Sequence, residues 1–132
     1  MKQVKDAMSD LNAMVGPTHT LRQASQRMIQ HKTGAAVVVD PELPGPCVIT
    51  ERDLLKALAA GMDMDVEVVG DHMTGSLITA APEWALQTAA DQMVRHGIRH
   101  VLVFQGPELI GILSMRDVIR VGGLAADAAD AA

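Results

Sequence analysis

Val4-Lys5-Asp6-Ala7-Met8 and Val69-Gly70-Asp71-His72-Met73 decide the fold, because the second stretch restates the first 65 positions later. The same separation relates Pro17 to Pro82, Leu21 to Leu86, Ala24 to Ala89, Met28 to Met93 and His31 to His96. Near the end of each copy the spacing falls to 64, so that Thr50-Glu51-Arg52-Asp53 answers Ser114-Met115-Arg116-Asp117. The chain of 132 residues is thus two similar units of about sixty residues each. A unit of that size buries only about 60% of its unfolded surface, so neither copy is expected to be stable alone. A site built by one copy has a counterpart in the other.

Composition narrows the function classes. A hydrophobic fraction of 48% supports a packed globule. No run approaches the roughly 18 apolar residues of a membrane span, and Met1-Lys2-Gln3 leads into repeat sequence, so neither a membrane protein nor a signal peptide is expected. Cys47 is the lone cysteine, which rules out a disulfide framework or thiolate zinc cluster and suits a reducing cytoplasm. The net charge of −5 argues against a nucleic-acid polymer as partner, which needs a basic surface. A small anionic ligand needs only a few local Arg or Lys residues. With Trp84 and Phe104 the only aromatic side chains, a bound base would sit between aliphatic and Met side chains.

Each copy reads as β-α-β-β-α. Leu21, Ala24, Ser25, Met28 and Ile29 form one helical stripe and Leu86, Ala89, Ala90, Met93 and Val94 another, with Thr18 as N-cap of the first helix. Short apolar pieces, Asn12-Ala13-Met14 and Leu77-Ile78-Thr79, precede these helices. The unbroken apolar runs 35–39 and 101–104 predict strands buried on both faces. The second strands, 47–49 and 109–113, run straight into helices over 51–60 and 115–121. The domain reading is repeat 1 over 1–60, a polar linker over 61–67, repeat 2 over 68–121 and a flexible tail over 122–132. Trp84 falls in the first turn of the second repeat's first helix.

The doubled architecture resembles a tandem, free-standing pair of CBS domains, the family named after cystathionine β-synthase. The Asp-x-Met openings, the mid-repeat prolines and the endings Val48-Ile49-Thr50-Glu51-Arg52-Asp53-Leu54 and Ile112-Leu113-Ser114-Met115-Arg116-Asp117-Val118 carry the resemblance. It implies an α+β fold, two β-α-β-β-α repeats packed sheet to sheet about a pseudo-twofold axis, and a homodimer. It also implies a regulatory module that binds AMP, ADP, ATP or S-adenosylmethionine in inter-repeat clefts, without an enzymatic cofactor, and that acts on an effector protein. The residue chemistry is compatible. A strand-end Thr50 or Ser114 opening a helix presents donors to phosphate. Asp53 or Asp117, one turn along, can accept hydrogen bonds from ribose hydroxyls. Arg52 or Arg116 can neutralise phosphate, in its own cleft or the neighbouring one. The same residues also make ordinary helix caps that need no ligand.

Carried over residue by residue, the resemblance assigns Thr79, Ala81 and Pro82, the edge Ile98, Arg99 and His100, and Ile112, Ser114, Arg116 and Asp117 to one site. The other comprises Thr33, Gly34, Ala35, Thr50, Arg52 and Asp53. The copies differ where Met14 stands for Thr79 and Cys47 for Gly111. The site of Thr79, Ile112, Ser114 and Asp117 is therefore expected to be the tighter. A metal at His96 and His100 is not expected, since Gly97 breaks the helical spacing. No nucleophile elbow supports catalysis by Ser114, His100 and Asp117, so the chain is read as a non-enzyme. The alternative is a dimerisation or interaction module whose clefts stay empty.

Overall fold

The computed structural model describes residues 1–11, 13–75 and 78–122. Among these residues it is a mixed α+β fold with two sheets and four helices. The expected flexible tail falls on 123–132, and Asn12 and Leu77 of the short strands likewise lie outside the described residues. Gly122, read as the start of that tail, closes the last helix. Two compact units form, one from residues 13–75 and one from 1–11 together with 78–122.

In the 13–75 unit, β1 (Met14–Val15), α1 (Leu21–Gln30), β2 (Ala35–Val38), β3 (Cys47–Thr50), α2 (Glu51–Ala59) and β4 (Thr74–Gly75) follow in order. The sheet order is β1-β2-β3-β4, with β1 parallel to β2 and the other pairs antiparallel. The second unit contributes β5 (Thr79–Ala80), α3 (Leu86–His96), β6 (His100–Gln105), β7 (Glu108–Ser114) and α4 (Met115–Gly122). Its sheet runs β5-β6-β7 with the same parallel and antiparallel sense. All four residues of β2 are buried, as its unbroken apolar run predicts, whereas Val39 at the end of that run lies beyond the strand and is exposed. β4, with one apolar-neutral glycine and a threonine, carries no hydrophobic signal and is not legible in the sequence.

The repeats exchange their opening segments. Residues 4–6 form a short 3-10 turn that packs into the core of the second repeat, and 69–71 form one that packs into the core of the first. Val4 and Val69 are both fully buried. The backbone bonds obey the repeat spacing. Val4 N–H donates to the Trp84 carbonyl and Lys5 N–H to that of Pro82, both at 2.9 Å. Val69 N–H donates to the His19 carbonyl and Gly70 N–H to that of Pro17, both at 2.8 Å. The mid-repeat prolines thus mark where the other repeat's opener docks. Trp84 lies in that docking turn, ahead of α3 and not inside its first turn.

Gly111 has a backbone reason. Ser9 and Ile112 exchange both N–H···O bonds, and a Cβ on Gly111 would stand 2.8 Å from the Ser9 carbonyl oxygen. Gly111 pairs with Val103 on the core-facing side of the sheet. Cys47, its counterpart, also packs against its unit's core. The Gly111/Cys47 difference therefore has a packing reason.

Two helix expectations need correction. Thr20, not Thr18, caps α1: its hydroxyl accepts from Gln23 N–H at 3.1 Å while the Gln23 side chain accepts from Thr20 N–H at 2.9 Å. The capping box outcompetes Thr18, which lies in the exposed turn before it. Ile29 and Val94, counted in the apolar stripes, are 80% and 74% exposed, because each begins the outward side of its helix's last turn. After α1 the chain must turn through left-handed backbone. Gly97 does this in the second repeat at φ 64°, whereas Lys32 does it in the first at φ 54°. A side chain there is strained.

Val69→Ala is expected to cost about 2 kcal/mol in chemical denaturation, and Val4→Ala a similar amount, through lost burial and a cavity. Unfolding free energies within 0.5 kcal/mol of wild type, a surface-like change by order of magnitude, would refute the exchange. Lys32→Gly is expected to raise stability by about 1 kcal/mol by the same assay; a decrease would count against the strained turn.

Candidate ligand sites on the two sheets

Strand alternation sorts each sheet into two faces. In the second unit Ala80, Val101, Val103 and Leu113 face the core shared with α3 and α4. Register places Thr79 opposite Leu102, Leu102 opposite Ile112, and His100 opposite Ser114, so these five share the other face. In the first unit Met14, Ala35, Val37, Val48 and Thr50 correspond to them. Thr79 is exposed, and His100 and Ser114 are half-buried. Met14 and Thr50 are half-buried and Ala35 is buried.

The end of each second strand joins its helix through the same reciprocal box. Thr50 N–H donates to Asp53 Oδ2 at 2.9 Å, the Thr50 hydroxyl donates to that oxygen at 3.0 Å, and Asp53 N–H donates back to Thr50 Oγ1 at 3.3 Å. Ser114 N–H donates to Asp117 Oδ2 at 3.1 Å, and Asp117 N–H donates to Ser114 Oγ at 3.0 Å. The first N–H of each helix is also taken: Glu51 donates to the Gly34 carbonyl at 2.9 Å and Met115 to the Arg99 carbonyl at 2.8 Å. That bond draws the edges 33–35 and 98–100 beside the caps. It brings Ile98, Arg99 and His100 to Ser114 and Asp117, and Thr33, Gly34 and Ala35 to Thr50 and Asp53.

The caps leave limited chemistry for a ligand. Asp53 Oδ1 has no partner among the described residues. Asp117 Oδ1 accepts from Arg120 at 3.2 Å, a bond to a largely exposed guanidinium. A surface pair of this kind is worth at most about 1 kcal/mol, so a ribose could displace it. Arg52, Arg99 and Arg116 are exposed, with their charges available to an anion. Ala81 is half-buried with its carbonyl accepting from Trp84 N–H at 3.1 Å, and Pro82 is buried with its carbonyl holding Lys5. The Pro82 carbonyl therefore serves the docking of the opener, and Ile112 is buried on the Thr79 face.

Two site features were not read from the sequence. Arg120 engages Asp117, although the spacing of three on one helix was there to see. The Glu51 carboxylate lies over Gly34, such that a Cβ on that glycine would meet Glu51 Oε1 at 2.8 Å. Among the described residues no three of His, Cys, Asp and Glu converge as metal ligands. No helix among them is long and apolar enough to cross a membrane.

Comparison with known proteins agrees with this architecture. The chain is 33% identical over 120 residues to the CBS domain-containing protein YhcV of Bacillus subtilis, covering 89% of this chain and 84% of that one. It spans between 52% and 65% of the length of three other curated relatives it matches. Among solved structures, the CBS domain protein PAE2072 from Pyrobaculum aerophilum complexed with AMP superposes with a TM-score of 0.77. It is 30% identical, with 88% of this chain and 89% of that one covered. The CBS domain pair of protein MJ0100, in complex with 5′-methylthioadenosine and S-adenosyl-L-methionine, gives a TM-score of 0.81 at 25% identity. That match covers 93% of this chain and 97% of the other. The CBS domain model itself matches residues 4–60 and again 69–123, one match for each copy of the repeat, and the chain belongs to the CBS domain family.

Proposed function

We propose that this CBS pair is a regulatory sensor of adenosine-containing ligands, with one site per repeat. The observation that carries it is a pre-organised carboxylate beside a strand-edge backbone, present in both copies: Asp53 next to 33–35 and Asp117 next to 98–100. The AMP complex of PAE2072 and the 5′-methylthioadenosine and S-adenosylmethionine complex of the MJ0100 pair support the ligand class. In the first site the ribose is held by Asp53 and the base edge by Thr33, Gly34 and Ala35, with Arg52 and Thr50 facing the group on the 5′ carbon. In the second, Asp117 holds the ribose, Thr79, Ile98 and His100 the base, and Ser114, Arg99 and Arg116 the phosphate. The role is regulatory and not catalytic, in the cytoplasm. The ligand acts only through states it binds unequally, so an effector protein must read the difference. The exposed Ile29 and Leu55 of the first repeat and Val94 and Ile119 of the second support a homodimer through the helices.

One observation favours a second reading. Both boxes are complete without a ligand, as they would be in an interaction module that uses Thr50, Asp53, Ser114 and Asp117 only as caps.

A thermal-shift panel of AMP, ADP, ATP, S-adenosylmethionine and NADH separates the two. Any of these at 100 times its dissociation constant stabilises by about 2.7 kcal/mol, a shift of several degrees. No shift at millimolar concentration with any of them would leave the boxes as caps. In calorimetry with AMP, Asp117→Ala is expected to lose more heat of binding than Asp53→Ala; the reverse order would overturn the ranking of the sites.

A further inference from the structure

At the box and at the strand edge beside it, the two sites differ in charge at matched positions. In the first repeat the position after Thr50 is Glu51, whose carboxylate lies over Gly34 at the strand edge. In the second repeat the corresponding residue is Met115, and the glycine is replaced by Arg99. Arg52 is matched with Arg116, Asp53 with Asp117 and Lys56 with Arg120, while Lys32, exposed just before the first edge, stands where the second repeat has Gly97. Glu51 thus adds a negative charge to one edge where Arg99 adds a positive charge to the other. The rest of the wall follows the same division. Met14 offers a thioether where Thr79 offers a hydroxyl, and Ala35 stands where His100 does.

We propose that the repeats sort adenosine ligands by charge. The Thr50–Asp53 site takes a nucleoside without phosphate, neutral or carrying a positive sulfonium, and the Ser114–Asp117 site takes a nucleoside 5′-phosphate. This rests on the sensor reading above and gives each of its sites a ligand class. A phosphate entering the first site meets Glu51 as well as Asp53, and Arg52, Lys56 and Lys32 have two carboxylates to offset where the second site has one. A sulfonium there meets the same carboxylates as attraction. At the second site Arg99 and Arg116 both favour phosphate, and Arg120, once released from Asp117, adds a third cation. Since the charged groups are solvent-exposed, the preference weakens as salt rises.

The experiment titrates the full-length chain by calorimetry with AMP, S-adenosylmethionine and 5′-methylthioadenosine. Asp117→Ala isolates the first site and Asp53→Ala the second. Each affinity is taken relative to the neutral 5′-methylthioadenosine in the same variant, which cancels changes in folding and in shared contacts. AMP and S-adenosylmethionine differ by about three charges at neutral pH. Adding Glu51→Gln to Asp117→Ala is therefore expected to move the AMP to S-adenosylmethionine ratio toward AMP by about tenfold. Adding Arg99→Gln to Asp53→Ala is expected to move it the opposite way by a similar factor. A ratio unchanged by either substitution, while the adenosine ligands still bind, overturns charge sorting and leaves the sensor standing. Failure of all three ligands to bind the wild-type chain overturns both.

Discussion

The docking of Val4 and Val69 into each other's repeats is the interaction on which the rest depends. Each valine is fully buried in a core whose sheet and helices come from the opposite copy, and its N–H is bonded to the turn after a mid-repeat proline while the next residue bonds the proline itself. Neither repeat can complete its core from its own sequence. This follows from size, since a unit of about 60 residues has too little apolar surface to offset its chain entropy. The residues that follow each opener then continue along the edge of the second strand, as Ser9 on Ile112 and Thr74 on Val48. That edge pairing fixes the end of the strand from which Thr50 or Ser114 leads into a helix. The geometry of both candidate sites descends from the exchange.

The carboxylates at those helix starts do two things at once. Each accepts the N–H of its own Thr50 or Ser114, and a cap of this kind contributes about 1 kcal/mol. The same hydrogen bond fixes the carboxylate beside the strand edge, so a ribose pays little to orient it. A hydrogen bond to a charged group is worth about 1.5–3 kcal/mol, which exceeds the exposed Arg120 pair that competes for Asp117. A structural cap and a pre-organised acceptor are therefore compatible roles of one group.

Most of the architecture was legible because it was written twice. The 65-residue spacing gave the repeat, the unbroken apolar runs gave the buried strands, and the Thr50 and Ser114 endings gave the strand-to-helix junctions. The exchange of openers was not legible, since a repeat pattern cannot say whether Val4 packs on its own copy or on the other. Thr20 was passed over for Thr18 because the capping partner Gln23 decides between them, and Ile29 was misjudged because a period of 3.6 blurs the rim of an apolar stripe. The close approach of Gly111 to the Ser9 carbonyl was not legible, since it joins residues about a hundred apart in a pairing no local pattern announces. Of the sites, the boxes were evident in the motif, but Glu51 over Gly34 required the helix start to be placed in space.

The central claim is that the strand edges 33–35 and 98–100, with the boxes beside them, are where adenosine ligands bind. Hydrogen exchange read by mass spectrometry, with and without saturating AMP, tests it most directly. The account predicts slowed exchange in peptides covering 98–102 and 114–118, less at 33–36 and 50–54, and little change in the outer turns of α1 and α3. Unchanged exchange at all four segments, with AMP in large excess, would contradict it.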